Sequence, residues 1–163
     1  MRFATLALTA ALTLASAGAA WANDPKATIA DLDARLAKIG VAKVDGTDKA
    51  GEKAAPALFF GERRINNNFD VVDAVRKASG ASATVFVKDG DEFVRVSTNV
   101  LTPEGKRGVG TQLARNKAYE AVSKGEQFCG PIDVLGTAFD ACYNPIKDGG
   151  GKVIGVSYVG HKK

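Results

Sequence analysis

The stretch "ATVFVKDGDEFVRVST", residues 83–98, decides the fold class of this chain. Two runs rich in valine, phenylalanine and threonine, residues 83–88 and 92–98, flank the short polar segment 89–91, "DGD". An Asp-Gly pair suits the tight turns that need positive φ angles, so this pattern is typical of a β-hairpin. The stretch therefore predicts two antiparallel strands.

The second run of this hairpin carries an arginine in an otherwise apolar strand. Because side chains alternate along a strand, two faces are expected: Phe93, Arg95 and Ser97 on one, and Val94, Val96 and Thr98 on the other. The valine face would pack against a helix. The mixed face suits a pocket for a small anion, since a guanidinium binds a carboxylate through two parallel hydrogen bonds. The residues alone leave open whether Arg95 binds an anion, pairs with an acid or extends into solvent.

A second hairpin is predicted downstream, with strands at 128–134 and 138–146 that turn near Gly136. Cys129 and Cys142 then fall nearly opposite each other, within a small adjustment of register. A disulfide between them is the expectation for an exported chain, and two unpaired buried thiols are the alternative.

The rest of the chain predicts helices and one more strand. Residues 28–39 have apolar side chains at helical spacing, and 45–56 are polar and glycine-containing, which indicates a loop. A second helix is predicted over 57–78, a short helix between Thr111 and Gly125, and a final strand at 152–159. Solvent exposure is expected for at least two of the three asparagines 66–68. Helices gathered on one side of an antiparallel sheet make an α+β domain.

The first 22 residues have the features of a secretory signal peptide. Arg2 precedes an apolar run, and "AWA" at 20–22 puts small residues at the positions that signal peptidase needs. The mature chain would begin at Asn23, and no later segment is long and apolar enough to cross a membrane. A periplasmic or secreted protein without membrane insertion is predicted.

Several functional classes are disfavoured by composition. The formal net charge is +4, but lysines and acids alternate, so no basic stripe for nucleic acid is visible. The single histidine, His161, leaves no base for Ser–His or Cys–His catalysis and too few ligands for zinc. In "GVGTQL", residues 108–113, Leu113 stands where the dinucleotide fingerprint has glycine. We therefore expect no enzyme activity, no cofactor and no metal, and favour a binding domain.

Four segments carry a resemblance to a known family: "RVSTNV" at 95–100, "GVGTQL" at 108–113, "YNPI" at 143–146 and "VIGVSYVG" at 153–160. Over residues 57–160 the chain resembles extracytoplasmic Cache sensor domains, of the single-Cache (Cache 3/Cache 2 fusion) type found in methyl-accepting chemotaxis receptors. The resemblance implies a PAS-like antiparallel sheet of about five strands, with a long N-terminal helix behind it and a ligand pocket in front. It divides the mature chain into an N-terminal helix with a polar linker, 23–56, and a sensor domain, 57–163.

Similar domains bind small organic acids such as acetate, propionate, pyruvate or lactate. The resemblance therefore implies that Arg95 anchors a carboxylate. The other candidates for the pocket wall are Phe86, Phe93, Ser97, Tyr119, Phe128 and Tyr143. For each aromatic residue, packing in the core is an equally good interpretation.

In chemotaxis receptors the last strand leads into a membrane helix, and the sequence shows no such helix here. The domain would then present its ligand to a membrane partner, such as a receptor, a kinase or a transporter. The alternative is a structural or interaction module whose pocket is filled by its own side chains. A partly polar cavity beside Arg95 would favour a sensor, and a solid aromatic core would favour the alternative.

Overall fold

The structure, a computed structural model, describes residues 23–163. The predicted signal peptide, 1–22, lies outside the described residues. The elements in chain order are α1 (Pro25–Ile39), β1 (Ala42–Ala50), β2 (Lys53–Phe60), β3 (Arg63–Arg64), α2 (Asp70–Ser79), β4 (Ser82–Asp89), β5 (Glu92–Thr98), α3 (Lys117–Ser123), β6 (Phe128–Val134), β7 (Thr137–Lys147) and β8 (Val153–Lys162).

The main sheet is antiparallel and has five strands in the order β5-β4-β8-β7-β6. Both predicted hairpins are present within it, together with the predicted final strand. The β4–β5 turn has Gly90 at φ +58°, and the β6–β7 turn places Leu135 and Gly136 at φ 51° and 84°. In the β6–β7 turn the two successive positive φ angles give the backbone the right-handed twist that a two-residue hairpin needs. The prediction of an antiparallel sheet is confirmed.

Helices α1 and α2 cover one side of this sheet, which we call the helix side. Asp24 caps α1 by accepting a hydrogen bond from the Lys26 amide, and Pro25 occupies the first turn, where it costs no hydrogen bond. Helix α1 packs against β7 and β8, and α2 packs against β4 and β5. The buried apolar side chains on this side include Ile29, Leu32, Leu36, Val72, Val75, Val85, Val87, Val94 and Val96. The predicted α+β class, with the N-terminal helix on one face, is confirmed.

A second, three-stranded sheet in the order β1-β2-β3 was not predicted. The predicted loop over 45–56 is wrong, because β1 and β2 occupy it. The predicted helix over 57–78 is also wrong in its first half, because α2 begins only at Asp70. The middle of β1 is exposed and so lacks an alternating pattern. Pro56 in β2 pairs with Thr47 beside a register shift in β1, where a missing N–H is tolerated.

The three asparagines before α2 hold the small sheet in place. Asn66 is buried, and its side chain accepts from the Leu58 amide (2.9 Å) and donates to the Pro56 carbonyl (3.0 Å). Asn67 has a left-handed conformation with φ 57°. Asn68 accepts from the Asp70 amide at the start of α2. The expected solvent exposure therefore holds for Asn67 and in part for Asn68, but not for Asn66.

Cys129 and Cys142 form a disulfide, as predicted. They are direct Cα partners in the β6–β7 ladder, because the turn is centred between Leu135 and Gly136 rather than on Gly136. No adjustment of register is needed. The bond joins an edge strand, β6, to the interior strand β7.

Candidate functional site

The side of the main sheet opposite α1 and α2, which we call the front side, carries a row of paired residues. Directly paired residues of an antiparallel ladder point to the same side, so these side chains lie next to one another. The row crosses all five strands in the order Phe128, Tyr143, Tyr158, Thr84 and Thr98. The neighbouring row contains Arg95, Phe86 and Val156. Arginine, tyrosines and phenylalanines are thereby brought together on one side of the sheet.

A β-bulge at Val96 changes the predicted faces of β5. Arg95 pairs with Phe86, but Ser97 pairs with Val85, so one extra residue lies between them. Ser97 consequently points to the helix side, where its hydroxyl donates to the carbonyl of Asn68 at 2.5 Å. The prediction that Ser97 shares a face with Arg95 is wrong. Thr98, predicted to lie with the valines, instead faces the front.

Arg95 is 3% exposed and is held at one end of its guanidinium group. Nη1 donates to Thr111 Oγ1 (2.9 Å) and to the carbonyl of Gln112 (3.1 Å). Cζ lies 4.8 Å from the centroid of the Phe86 ring. Nε is buried without a hydrogen-bond partner. Within residues 23–163, Arg95 makes no salt bridge.

The electrostatic environment of Arg95 is that of a desolvated cation. Burial lowers the pKa of Arg95, and its proximity to Tyr143 and Tyr158 opposes that change. Arginine nevertheless remains charged in proteins, because its pKa starts so high. The positive charge is therefore buried without an acidic residue of the described part to balance it.

The motif "GVGTQL" lies along the outer edge of β5, within residues 107–113, which we call the covering segment. The Arg95 amide donates to the Thr111 carbonyl (2.9 Å), and the Gly110 amide donates to the Arg95 carbonyl (2.8 Å). At the start of the segment, the Arg107 guanidinium donates two hydrogen bonds, each 2.8 Å long, to the Asp73 carboxylate. Sequence reasoning missed Thr111 and Gln112 as partners of Arg95. No spacing rule relates positions 95 and 111, and the motif itself was the only signal.

The predicted aromatic residues form an inner and an outer layer. Phe86, Phe93 and Tyr143 are buried on the front side with Arg95. Tyr119 of α3 packs edge-on against Phe93 from outside, with 5.8 Å between ring centroids, and its hydroxyl donates to the Asp91 carbonyl. Phe128 lies 6.2 Å from Tyr143 by the same measure. The outer two residues therefore contact the inner layer rather than Arg95.

Tyr158 is a front-side residue that sequence reasoning missed. It is 1% exposed, its ring centroid lies 4.8 Å from that of Tyr143, and its hydroxyl is buried without a partner. Burial raises the pKa of both Tyr143 and Tyr158, so both hydroxyls stay protonated and can donate. Its place in "VIGVSYVG", one of the motifs of the resemblance, was the available signal.

The front side is closely packed. Open clefts with volumes from about 280 to about 720 Å³ lie elsewhere on residues 23–163, and their linings do not include Arg95. In the same range, no three acidic, histidine or cysteine side chains are grouped so as to hold a metal ion. No helix of that range is long and apolar enough to span a membrane. What the front side offers chemically is a cation with a free edge, a donor hydroxyl and aromatic walls.

Comparison with known proteins bears on the whole described range. Residues 23–163 match the model of a family described as the Cache 3/Cache 2 fusion domain. A search of curated proteins found no match.

Proposed function

The chain belongs to the Cache 3/Cache 2 fusion domain family, and from that membership we propose that it binds a small organic acid at Arg95. Domains of this family are extracytoplasmic sensors of small ligands and are not catalytic. The resemblance noted in the sequence over 57–160 is confirmed, and the match begins earlier, at Asn23. The identity of the ligand and its anchor are our proposal.

The observation that carries the proposal is the unbalanced charge of Arg95. Burying a cation without a partner costs several kcal/mol, and a bound anion offsets that cost. Nη1 is already occupied by Thr111 and Gln112, which leaves the edge that carries Nε. A carboxylate can accept two parallel charge-assisted hydrogen bonds along such an edge.

The packing of the front side supports a ligand of the acetate, propionate, pyruvate or lactate class. Phe86 contacts the guanidinium, and Phe93 and Tyr143 are buried on the same side of the sheet, which favours two or three carbon atoms over a larger molecule. We retain Tyr119 and Phe128 as outer wall residues, which would move when a ligand enters. Ser97 is no longer part of the proposed wall, because it faces the helix side.

One observation favours the alternative, a non-catalytic structural or interaction module with a filled pocket. Phe86, Phe93, Tyr143 and Tyr158 are each at most 1% exposed, as in a solid aromatic core. In that case, the aromatic faces alone would have to stabilise the Arg95 cation, as Phe86 does in part.

Calorimetry and thermal unfolding of residues 23–163 with acetate, propionate, pyruvate and lactate test the proposal. An acid at about 100 times its Kd should stabilise the domain by about 2.7 kcal/mol. Arg95→Ala should weaken binding by about 2–5 kcal/mol, and Arg95→Lys should weaken it too, because an ammonium group lacks the planar fork. Arg35→Ala, on the surface of α1, is the matched control and should bind like the parent. Absence of binding by all four acids, or normal binding by Arg95→Ala, would favour the filled module.

We also propose that the protein is periplasmic or secreted, and that a membrane receptor, kinase or transporter responds to its loaded form. The extracytoplasmic family and the Cys129–Cys142 bond support this location. N-terminal sequencing of the exported product should find Asn23 first. Cross-linking in intact cells should capture a membrane protein in amounts that change when the ligand is added. A product that retains Met1, or a complex that is insensitive to ligand, would contradict these two proposals.

A further inference from the structure

The hydroxyl of Tyr158 is a second unpaired polar group on the front side. Tyr158 is 1% exposed, and no described residue donates to or accepts from its hydroxyl. The ring is fixed between Tyr143, at a centroid distance of 4.8 Å, and Phe139, at 6.4 Å in an edge-on arrangement. The hydroxyl therefore cannot turn outward into water.

The two threonines of the same row are satisfied. Thr84 and Thr98 share a hydrogen bond of 2.6 Å between their hydroxyls. Thr98 Oγ1 also accepts from the Val100 amide at 3.0 Å. Buried polar groups in folded proteins almost always have partners, so the exception at Tyr158 calls for one that comes from outside the described chain.

Gly160 provides the space in which the Tyr158 hydroxyl lies. The φ angle of Gly160 is not in the left-handed region, so its backbone does not require glycine. A Cβ atom at this position would overlap the Tyr158 hydroxyl and would lie 3.1 Å from Phe139 Cδ1. The Tyr158 hydroxyl can occupy this position only because Gly160 has no side chain.

Tyr158 and Arg95 belong to neighbouring rows of the same side. Arg95 pairs with Phe86, Phe86 pairs with Val156, and Tyr158 is the next front-side residue after Val156 on β8. Burial keeps the proton on the Tyr158 oxygen, so the hydroxyl can donate to a ligand. An unpaired cation edge and an unpaired hydroxyl therefore lie on the same buried side of the sheet, and the Arg95 charge is near enough to oppose the rise that burial causes in the pKa of Tyr158.

We infer that Tyr158 is a specificity-determining residue that selects small acids carrying a second oxygen, a hydroxyl or oxo group, in addition to the carboxylate bound by Arg95. This inference rests on the proposed function. A second ligand oxygen would accept a hydrogen bond from the Tyr158 hydroxyl, whereas a plain aliphatic acid would leave that hydroxyl unpaired. A site built to make a hydrogen bond discriminates against the ligand that lacks the group, because a buried polar atom then stays unsatisfied.

The test compares matched ligands on the parent domain and on Tyr158→Phe by calorimetry. The plain acids are acetate and propionate, and their oxygenated counterparts are glycolate for acetate and lactate and pyruvate for propionate. The parent should bind at least one oxygenated acid about three- to tenfold more tightly than its plain counterpart, the range expected for one neutral hydrogen bond. Tyr158→Phe should lose that preference while its Kd for the plain acid changes by less than about twofold.

The outcomes separate this inference from the proposed function. If no acid binds the parent, the proposed function and the inference are both wrong. If acids bind through Arg95 but the parent shows no preference, or Tyr158→Phe keeps it, only the inference is wrong. Ligand-free Tyr158→Phe should be at least as stable as the parent, because it loses an unsatisfied hydroxyl. A clear loss of stability would mean that a buried water already pairs with that hydroxyl, and would also overturn the inference.

Discussion

Ser97 lies directly opposite Val85, and its hydroxyl ties β5 to the carbonyl of Asn68 in the loop before α2. The residue is 1% exposed, so this hydrogen bond is sheltered from water. The bulge at Val96 thus gives Ser97 a structural position on the helix side.

Ser97→Ala should lower the free energy of unfolding by about 1–3 kcal/mol, because the Asn68 carbonyl loses its partner. The affinity for a small acid should not change, since the side chain lies away from Arg95. Urea denaturation and calorimetry measure the two quantities. Ser123→Ala, at an exposed position of α3, serves as the control for stability. A large loss of affinity in Ser97→Ala would contradict the assignment of Ser97 to the helix side.

Arg95→Met should make the ligand-free domain more stable, by about 1–3 kcal/mol. Replacing a buried charge with an apolar side chain of similar length is often stabilising, because no desolvated cation remains. The same variant should bind the acid at least as weakly as Arg95→Ala does. Thermal and urea unfolding without ligand show whether Arg95→Met is more or less stable than the parent. A marked destabilisation would show that the Arg95 cation is balanced in the ligand-free protein.

Reduction of the Cys129–Cys142 bond should cost about 3 kcal/mol of stability in the chain-entropy model. The sequence separation is 13 residues, so the closed loop is short, and the bond anchors the edge strand β6. Urea unfolding with and without a thiol-free reductant measures the loss. The Cys129→Ala/Cys142→Ala variant should not respond to the reductant. Equal midpoints for oxidised and reduced parent protein would contradict the prediction.

Asp33 of α1 should make stability fall as the pH rises. Its carboxylate accepts from Ser157 Oγ (2.6 Å) and from Asn144 Nδ2 (2.5 Å). Burial nevertheless raises the pKa of Asp33 above its ordinary value of 3.8, and these two hydrogen bonds only partly oppose the rise. The folded state then binds the proton more tightly than the unfolded state. The contribution is fully present below the ordinary pKa and is lost as the pH rises through the raised one.

The measurement for Asp33 is the difference in unfolding free energy between the parent and Asp33→Asn from about pH 3.5 to 7. The parent should lose stability relative to the variant as the pH rises, because asparagine does not titrate. Subtracting the variant removes the effect of the other carboxylates. A constant difference, or one that grows in favour of the parent, would contradict the raised pKa.

The sequence predicted those parts of the fold that depend on local signals. The Asp-Gly turn at 89–90 and the turn at Gly136 marked the hairpins, and the second hairpin placed the two cysteines opposite each other. These signals work because a tight turn fixes the register of the strands on both sides.

The parts that were missed depend on contacts between distant segments. The exposed middle of β1 shows no alternation, and Ile65 has the apolar spacing of α2 although it precedes that helix. The bulge at Val96 inserts one residue into a strand without any change in composition, so Ser97 could not be assigned to its side from the sequence. The hydrogen bonds of Arg95 to Thr111 and Gln112 exist only because the covering segment returns to the edge of β5.

The pairing of β7 with β8 gives the main sheet a mechanical property. Tyr143 and Tyr158 point forward, while their chain neighbours Asn144 and Ser157 point backward and hold Asp33. Successive side chains of a strand point to opposite sides of the sheet. A rotation of the strand that displaces a tyrosine to admit a ligand would therefore also displace the neighbouring side chain on the helix side. The hydrogen-bonded ladder between β7 and β8 would be the axis of this rotation. Helix α1 is hydrogen-bonded to both strands through Asp33, so it would be displaced by this rotation while the strands stay paired.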